Sequence, residues 1–260
     1  MLTWLTIDTD DFRHLPVYQG HPTRSNHSQS PPLSELSSQF HTGWRSFLQW
    51  MDSHDHHVTL FVITDLLEQD DARAYFDSAI QQFGSRLTFA CHGHTHRSWS
   101  AWGEDVPGFN RMLEHSLRLL KTFAKDNFLP AFRAPNGYIG PWMAEPLANH
   151  DILVDSSINP SWLVRKKMGE SRSWKVVDSA MQSVGLIERK WRVGLTLPLN
   201  GPALTRFPLS LFSVFVWKRS SISSASREDV LQGQLKIQTF YCHILDFARK
   251  DGRWRPPLNL

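Results

Sequence analysis

The feature that most constrains this chain is an alternation. Short β-rich apolar runs, several of them ending in an ionisable motif, are separated by longer stretches whose apolar residues recur at helical spacing. The strand candidates are Leu2 to Asp8, Val58 to Ile63, Leu87 to Cys91, Pro130 to Arg133, Ile152 to Asp155, Gly194 to Leu197 and Ile237 to His243. Thr42 to His54 carries Trp44, Phe47, Leu48 and Met51 on one helical face, and Ala72 to Phe83 and Met112 to Ala124 follow the same pattern. Alternation of this kind calls for a parallel sheet with crossover helices. At 260 residues it predicts a single α/β domain over residues 1–260, a closed barrel of seven or eight strands, with an open doubly wound sheet as the alternative. Pro16 to Ser38, rich in Ser, Pro, Gln and His, reads as a long loop after the first strand. Ser220 to Ser226 reads as a polar connection before a helix at about Arg227 to Leu235.

Composition narrows the partners. Apolar residues make up 41% and charged residues 20%, a balance that supports a buried core and excludes a largely disordered chain. The formal charge of +3 is too small to mark a nucleic-acid-binding domain, so no nucleic acid is expected. Neither a basic, apolar leader nor a run of about 20 apolar residues is visible, which predicts a cytoplasmic protein without a membrane span. Cys91 and Cys242, the two cysteines, each precede a histidine on a strand candidate. Their thiols should therefore face the helix layer as small core residues rather than act as ligands.

Three of the strand-end motifs concentrate donors. Thr6-Ile-Asp8-Thr-Asp10-Asp11 closes the first strand candidate. Side chains at i and i+2 of a strand share a face, so Asp8 and Asp10 converge while Asp11 points elsewhere. Two carboxylates this close repel unless a cation lies between them or one is protonated. Asp11 remains the other choice of metal carboxylate. His92-Gly-His94-Thr-His96 leaves the third strand candidate. His92 and His96, at i and i+4, share one face of a helical turn and suit chelation of one divalent ion, whereas His94 cannot join them. With Asp10 they make a two-imidazole, one-carboxylate set that leaves coordination positions open, as a catalytic site requires. In Arg133-Ala-Pro135-Asn136-Gly137-Tyr138 a stiff turn could aim a main-chain N–H at an oxyanion, and Arg133 could hold a carboxylate. Asp155-Ser156-Ser157 and Cys242-His243-Ile-Leu-Asp246 each place an ionisable group at the end of an apolar run, where parallel barrels carry their active sites.

Taken in order, Asp-x-Asp, His-x-x-x-His, Arg-x-Pro-x-Gly, Asp-Ser-Ser and a late His strongly resemble the polysaccharide deacetylases, carbohydrate esterase family 4 with its NodB-homology domain. The resemblance spans Leu2 to about Asp246 and includes Val58 to Ile63 as a second core strand. It implies a distorted (β/α) barrel of about seven parallel strands and a metal-dependent hydrolase that removes an N-acetyl group from a sugar of a glycan or glycan precursor. It implies further that Asp10, His92 and His96 hold the metal, usually Zn2+, and that Asp8 is the base. Arg133 would tether Asp8, the main chain around Asn136, Gly137 and Tyr138 would meet the substrate oxyanion, and Asp155 would orient His243 as the acid. Adjacent aspartates are common in the family's first motif, and Asn136 stands where an aromatic is common.

The chemistry suits these residue types. Zinc lowers the pKa of a bound water to ~7, a nearby carboxylate can take its proton, and a cationic imidazole can protonate the departing amine. Co2+, Ni2+, Mn2+ and Fe2+ also suit a His/His/Asp set. Trp99, Trp102, Trp142 and Trp162 follow motif residues and offer faces for sugar stacking. Arg206 to Arg219 is apolar with basic flanks and predicts either a buried segment or a peripheral contact with membrane or a lipid-linked sugar. Two other functions compete: an amidohydrolase acting on a small linear amide or ureide, and a carbohydrate-binding protein with an inactive site.

Overall fold

Along residues 2–8 the period-two alternation of a strand sends Trp4, Thr6 and Asp8 to one face and Leu5 and Ile7 to the other, and both faces are buried. Such two-sided burial is what a central parallel strand requires. The computed structural model describes residues 1–26, 35–164, 167, 173–220 and 223–258. Its strands are β1 (Leu2–Asp8), β2 (Val58–Val62), β3 (Leu87–Cys91), β4 (Phe128–Phe132), β5 (Val154–Asp155), β6 (Ile187–Glu188), β7 (Val193–Gly194), β8 (Leu197–Pro198) and β9 (Ile237–His243). Seven of them form one sheet in the order β6-β5-β4-β3-β2-β1-β9, every neighbouring pair parallel.

The helices are α1 (Ser38–Asp52), α2 (Asp70–Phe83), α3 (Trp99–Trp102), α4 (Val106–Ala124), α5 (Ala144–Asn149), α6 (Trp174–Ser183), α7 (Leu209–Lys218), α8 (Arg227–Val230) and α9 (Arg249–Gly252). Their apolar faces pack on the outward side chains of the strands: Leu5, Ile7, Leu60, Val62 and Phe89 share one core with Phe40, Trp44, Phe76 and Leu113. Cys91 and Cys242 belong to that outer core, as expected of thiols facing the helix layer. The inward faces meet in a smaller core of Trp4, Phe61, Ala90, Ala131 and Val154. Trp4 Nε1 donates to Thr59 Oγ1 at 2.7 Å, and Thr59 Oγ1 lies 2.8 Å from Thr88 Oγ1, so these three interior groups satisfy one another.

The seven strands curl into an incomplete barrel, the distorted form that the motif order implied. Among the described residues its two edges meet through one bridge, from Trp191, just past β6, to Thr239 of β9. The buried Arg189 spans the same gap, donating to the carbonyls of Val230, Gln232 and Leu235 at 2.7–2.8 Å. Two expectations are corrected here. Gly194 to Leu197 is not a barrel strand; it lies in a small antiparallel hairpin, β7–β8, whose turn residues Leu195 and Thr196 adopt positive φ. The last barrel position before β9 goes instead to Ile187–Glu188. The helix after residue 226 also stops at Val230, before Gly233.

The predicted loop from Pro16 to Ser38 is described up to Asn26 and again from Glu35. Residues 27–34 lie outside the described residues. Ser37 caps α1 by accepting from Phe40 N. Within Phe207–Trp217, α7 buries Ser213 and Trp217 but leaves Leu211 and Phe215, with the preceding Phe207, largely exposed. Among the described residues no helix is long and apolar enough to cross a membrane.

His56 sits buried before β2 against Trp50, and its Nε2 has no partner among the described residues. Burial pulls its pKa down to about 4, with the neighbouring His54 and His57 acting in the same direction. The unfolded chain then binds the extra proton first, so stability should fall as the pH drops from about 6.5 towards 4 and stay level above that window. Thermal melts across this range should show the decline, and His56→Gln should make it shallower, the remainder coming from other buried histidines such as His96, which burial also lowers to about 4.

Candidate active site

Parallel register brings the two ends of the chain together. Asp8, the last residue of β1, lies beside His243, the last residue of β9, and both sit at the C-terminal edge of the barrel. Between them and the third strand lies a cavity of about 480 Å³ whose wall includes Asp8, Asp10, His92, His96, Asn136 and His243.

The strand ends at Asp8, so Asp10 reaches the site from the following turn and not by strand alternation. Asp11 is otherwise engaged. Its carboxylate accepts from Phe12 N at 2.7 Å, from Ser37 N at 2.7 Å and from Ser37 Oγ, tying the turn to the start of α1. Likewise His92 and His96 do not lie on a helical turn. Residues 92–96 form a loop with Gly93 at φ +84°, and the imidazoles still meet, with ring centroids 5.2 Å apart. Each ring is aimed by a main-chain carbonyl: His92 Nδ1 donates to Arg133 O and His96 Nδ1 to His14 O, both at 2.8 Å. Donation from Nδ1 leaves the Nε2 lone pairs for a ligand.

One donor atom from each of Asp10, His92 and His96 lies within 4.8 Å of the other two, and all three residues are buried. Burial lowers the pKa of His96 to about 4 and also lowers that of His92, against the pull of the neighbouring carboxylates, so both rings are neutral at physiological pH. Burial works to raise the Asp10 carboxyl, but His243, His96 and His92 together hold it below the usual range. Among the described residues Asp10 Oδ1 is buried without a hydrogen-bond partner. An orphaned carboxylate oxygen beside two oriented imidazoles fits a divalent cation of the zinc class.

Asp8 is held by a fully buried arginine. Arg133 Nη1 donates to Asp8 Oδ1 at 2.6 Å, while Nε and Nη2 donate to Ser156 O and Oγ at 3.0 Å. The guanidinium also lies 4.0 Å from the Phe61 ring centroid and 5.1 Å from that of Tyr241. The second oxygen of Asp8 stays open to the site, 3.8 Å from His92 Nε2.

The partner of His243 differs from the one expected. Asp246 Oδ2 accepts from His243 N at 2.9 Å and lies 3.2 Å from His243 Nδ1, while Arg249 Nε donates to Asp246 Oδ1. Asp155 is occupied elsewhere: it accepts from Ser157 N and Oγ and stands beside Glu188 across neighbouring strands. Burial raises both of these carboxyls, Glu188 more strongly, so the pair is stable as an acid beside a carboxylate. Asp155 thus braces Ser157, which in turn accepts from Ala134 N in the Arg133 turn. Burial opposes protonation of His243, but Asp10, Asp246 and Asp8 outweigh it and push the imidazole up to about 10. Any cation held at Asp10 would offset the first of these carboxylates and leave the other two.

In the third motif Asn136 adopts the left-handed region at φ 55°. The Gly137 and Tyr138 N–H groups donate to the Ala134 and Pro135 carbonyls, so neither is available to an oxyanion. The Tyr138 hydroxyl turns to His21, and Tyr138 does not line the cavity. Nor do Trp99, Trp102, Trp142 and Trp162; the tryptophan of the wall is Trp191, whose Nε1 donates to Ser156 O. Sequence reasoning missed Trp191 and the wall cations Arg24, Lys167 and Arg249, gave Asp246 no part in holding His243, and took Arg206 only as a basic flank of the apolar segment. Of these only Asp246 left a local signal of its role at the site, the His-x-x-Asp spacing of a capped turn at a strand end.

Removing Arg133 would strand the buried Asp8 charge, so Arg133→Leu should cost about 3–5 kcal/mol of stability in urea denaturation. Arg249→Leu, at the exposed rim, should cost less than about 1 kcal/mol.

No family model matches the chain, and no curated protein does. Among solved structures it is similar to a crystal structure from Mycobacterium smegmatis provisionally described as a polysaccharide deacetylase, with a TM-score of 0.58 at 15% identity over 96% of this chain and 80% of that one. The Xyl-CE4 domain of a multidomain xylanase from the hindgut metagenome of Trinervitermes trinervoides aligns over 97% of this chain and 77% of its own, at 10% identity and a TM-score of 0.45. The chain therefore shares the fold of the Mycobacterium smegmatis protein, whose description agrees with the family that the motif order resembles.

Proposed function

We propose that this protein is a metal-dependent carbohydrate deacetylase that hydrolyses an N-acetyl group on a sugar. The observation that carries this reading is the convergence of Asp8, Asp10, His92, His96 and His243 on one cavity, with an Asp10 oxygen buried and unpartnered. Asp10, His92 and His96 would hold the ion, with Zn2+ first among candidates. When bound, such an ion supplies Lewis acidity to an acyl oxygen and acidifies water.

The protein's own groups then divide the proton work. Asp8, fixed through Oδ1 by Arg133, presents Oδ2 as the base. His243, cationic and held through Nδ1 by Asp246, presents Nε2 as the donor to the departing amine. The Asn136 main chain, in its left-handed turn, is the remaining candidate in that motif for an N–H to the developing oxyanion. Metal analysis coupled to acetate release across N-acetylated sugars tests the reading. Chelator should abolish acetate release and added Zn2+ restore it. Asp8→Asn and Asp246→Asn should each lower kcat by about a hundredfold or more with the fold intact by circular dichroism. Activity retained in Asp8→Asn, or cleavage confined to ureides, would overturn it.

For the substrate we favour a glycan precursor bearing phosphate, nucleotide-linked or lipid-linked. Arg24, Lys167, Arg206 and Arg249 on the cavity wall supply complementary charge. Beside Arg206, the exposed Phe207, Leu211 and Phe215 with Lys218 and Arg219 suit an anionic membrane surface. The protein should co-float with anionic vesicles and lose that binding in the double variant Leu211→Ser/Phe215→Ser. Equal flotation of parent and variant would exclude α7 as the contact.

A further inference from the structure

The middle histidine of the His92–His96 loop faces away from the cavity and joins another constellation. His94 Nε2 lies 4.0 Å from Glu68 Oε2, and His115 Nε2 lies 3.3 Å from Glu68 Oε1. The two imidazoles meet edge to face with centroids 4.4 Å apart, and one donor atom from each of the three residues lies within 4.8 Å of the others. The three side chains come from separate segments: Glu68 from the 3-10 turn Thr64–Glu68 after β2, His94 from the loop after β3, and His115 from the middle of α4.

Two of these segments are fixed to one another by the backbone. Thr64 N donates to Gly93 O at 2.9 Å and Asp65 N to His94 O at 3.1 Å. The Thr64 hydroxyl lies 3.2 Å from His94 Nδ1 and can accept its proton, which frees Nε2 as a lone-pair donor. Arg118 Nη2 donates to His115 Nδ1 at 3.1 Å, which places the neutral ring's proton on Nε2 towards Glu68; a cation taken at Nε2 moves that proton to Nδ1 and releases the exposed Arg118. Asp65, already paired with Arg13 and His14, adds negative charge nearby. The residues are half-buried or exposed, so a bound cation would keep solvent positions.

We propose that Glu68, His94 and His115 form a second divalent-cation site, outside the cavity, of the class that takes Zn2+, Ni2+ or Cu2+. Two imidazole nitrogens and one carboxylate oxygen suit these borderline cations and not Mg2+ or Ca2+. A cation here ties the β2 exit and α4 to the loop carrying His92 and His96, so the outer site braces the inner one without touching the cavity.

The test is Zn2+ stoichiometry of the full chain after chelator treatment and dialysis, read by metal analysis and calorimetry. The parent should bind two equivalents, His94→Ala/His115→Ala one, and Asp10→Ala/His96→Ala one. Glu68→Gln, at an exposed position, should weaken the outer site by about tenfold or more while circular dichroism and melting stay unchanged. Two equivalents in His94→Ala/His115→Ala would overturn the proposal, as would a single equivalent in the parent that Asp10→Ala/His96→Ala removes. A single equivalent that only His94→Ala/His115→Ala removes would support the outer site and contradict the inner metal centre, so the two claims fail separately.

Discussion

The buried ion pair between Arg133 and Asp8 organises this molecule. A guanidinium with no solvent exposure is tolerable only where its donors and its charge are matched, and here every part of the fork has a partner: Asp8, the Ser156 carbonyl and the Ser156 hydroxyl. Those partners come from β1 and from the residue after β5, while Arg133 itself follows β4. One side chain therefore joins three strand ends that neighbour one another only in part. Phe61 from β2 and Tyr241 from β9 pack against the same cation, extending its reach across the barrel mouth.

From this pair the rest of the site can be followed outward. Its Asp8 oxygen is spoken for, which leaves the other for chemistry. The Arg133 carbonyl orients His92, and Ser157, braced by Asp155, receives the amide of Ala134. Asp155 and Ser157 thus shape the site through the Arg133 turn, while His243, the proposed proton donor, is governed by its own short-range partner, Asp246. Asp8 and His243, the proposed base and acid, are fixed by different side-chain networks that meet in register at the barrel rim.

Much of this was legible before any coordinates. Leu2–Asp8, Leu87–Cys91 and Ile237–His243 match the predicted strands at both ends, because apolar runs buried on two faces and bounded by polar motifs have few other uses. The two-residue strand Ile187–Glu188 had no run long enough to be seen, and Gly194–Leu197 looked like a strand because a tight hairpin shares its composition. At the site, Asp10, His92 and His96 were placed together by periodicity arguments that assumed a continuing strand and a helical turn. Neither element forms, and tertiary hydrogen bonds from Arg133 and His14 carbonyls do the aiming instead. Pairing Asp155 with His243 failed for a related reason: a motif order shows which residues reach the rim, not which neighbour each meets there. The wall cations at positions 24, 167 and 249 had no local pattern to betray them, and Arg206 showed only as the basic flank of an apolar segment.

The seam between the edge strands has a mechanical meaning. Six of the joints around the barrel are ladders of main-chain hydrogen bonds, while the seventh relies on one bridge and on the Arg189 side chain clasping carbonyls of the segment before β9. Such a clasp can be lengthened or reset by changes in a single residue and its surroundings, whereas a ladder shifts only in whole steps. The circumference of the barrel, and with it the spacing of His243 from the groups on β4 and β5, is therefore adjustable at one place without disturbing the register that aligns Asp8 with its neighbours.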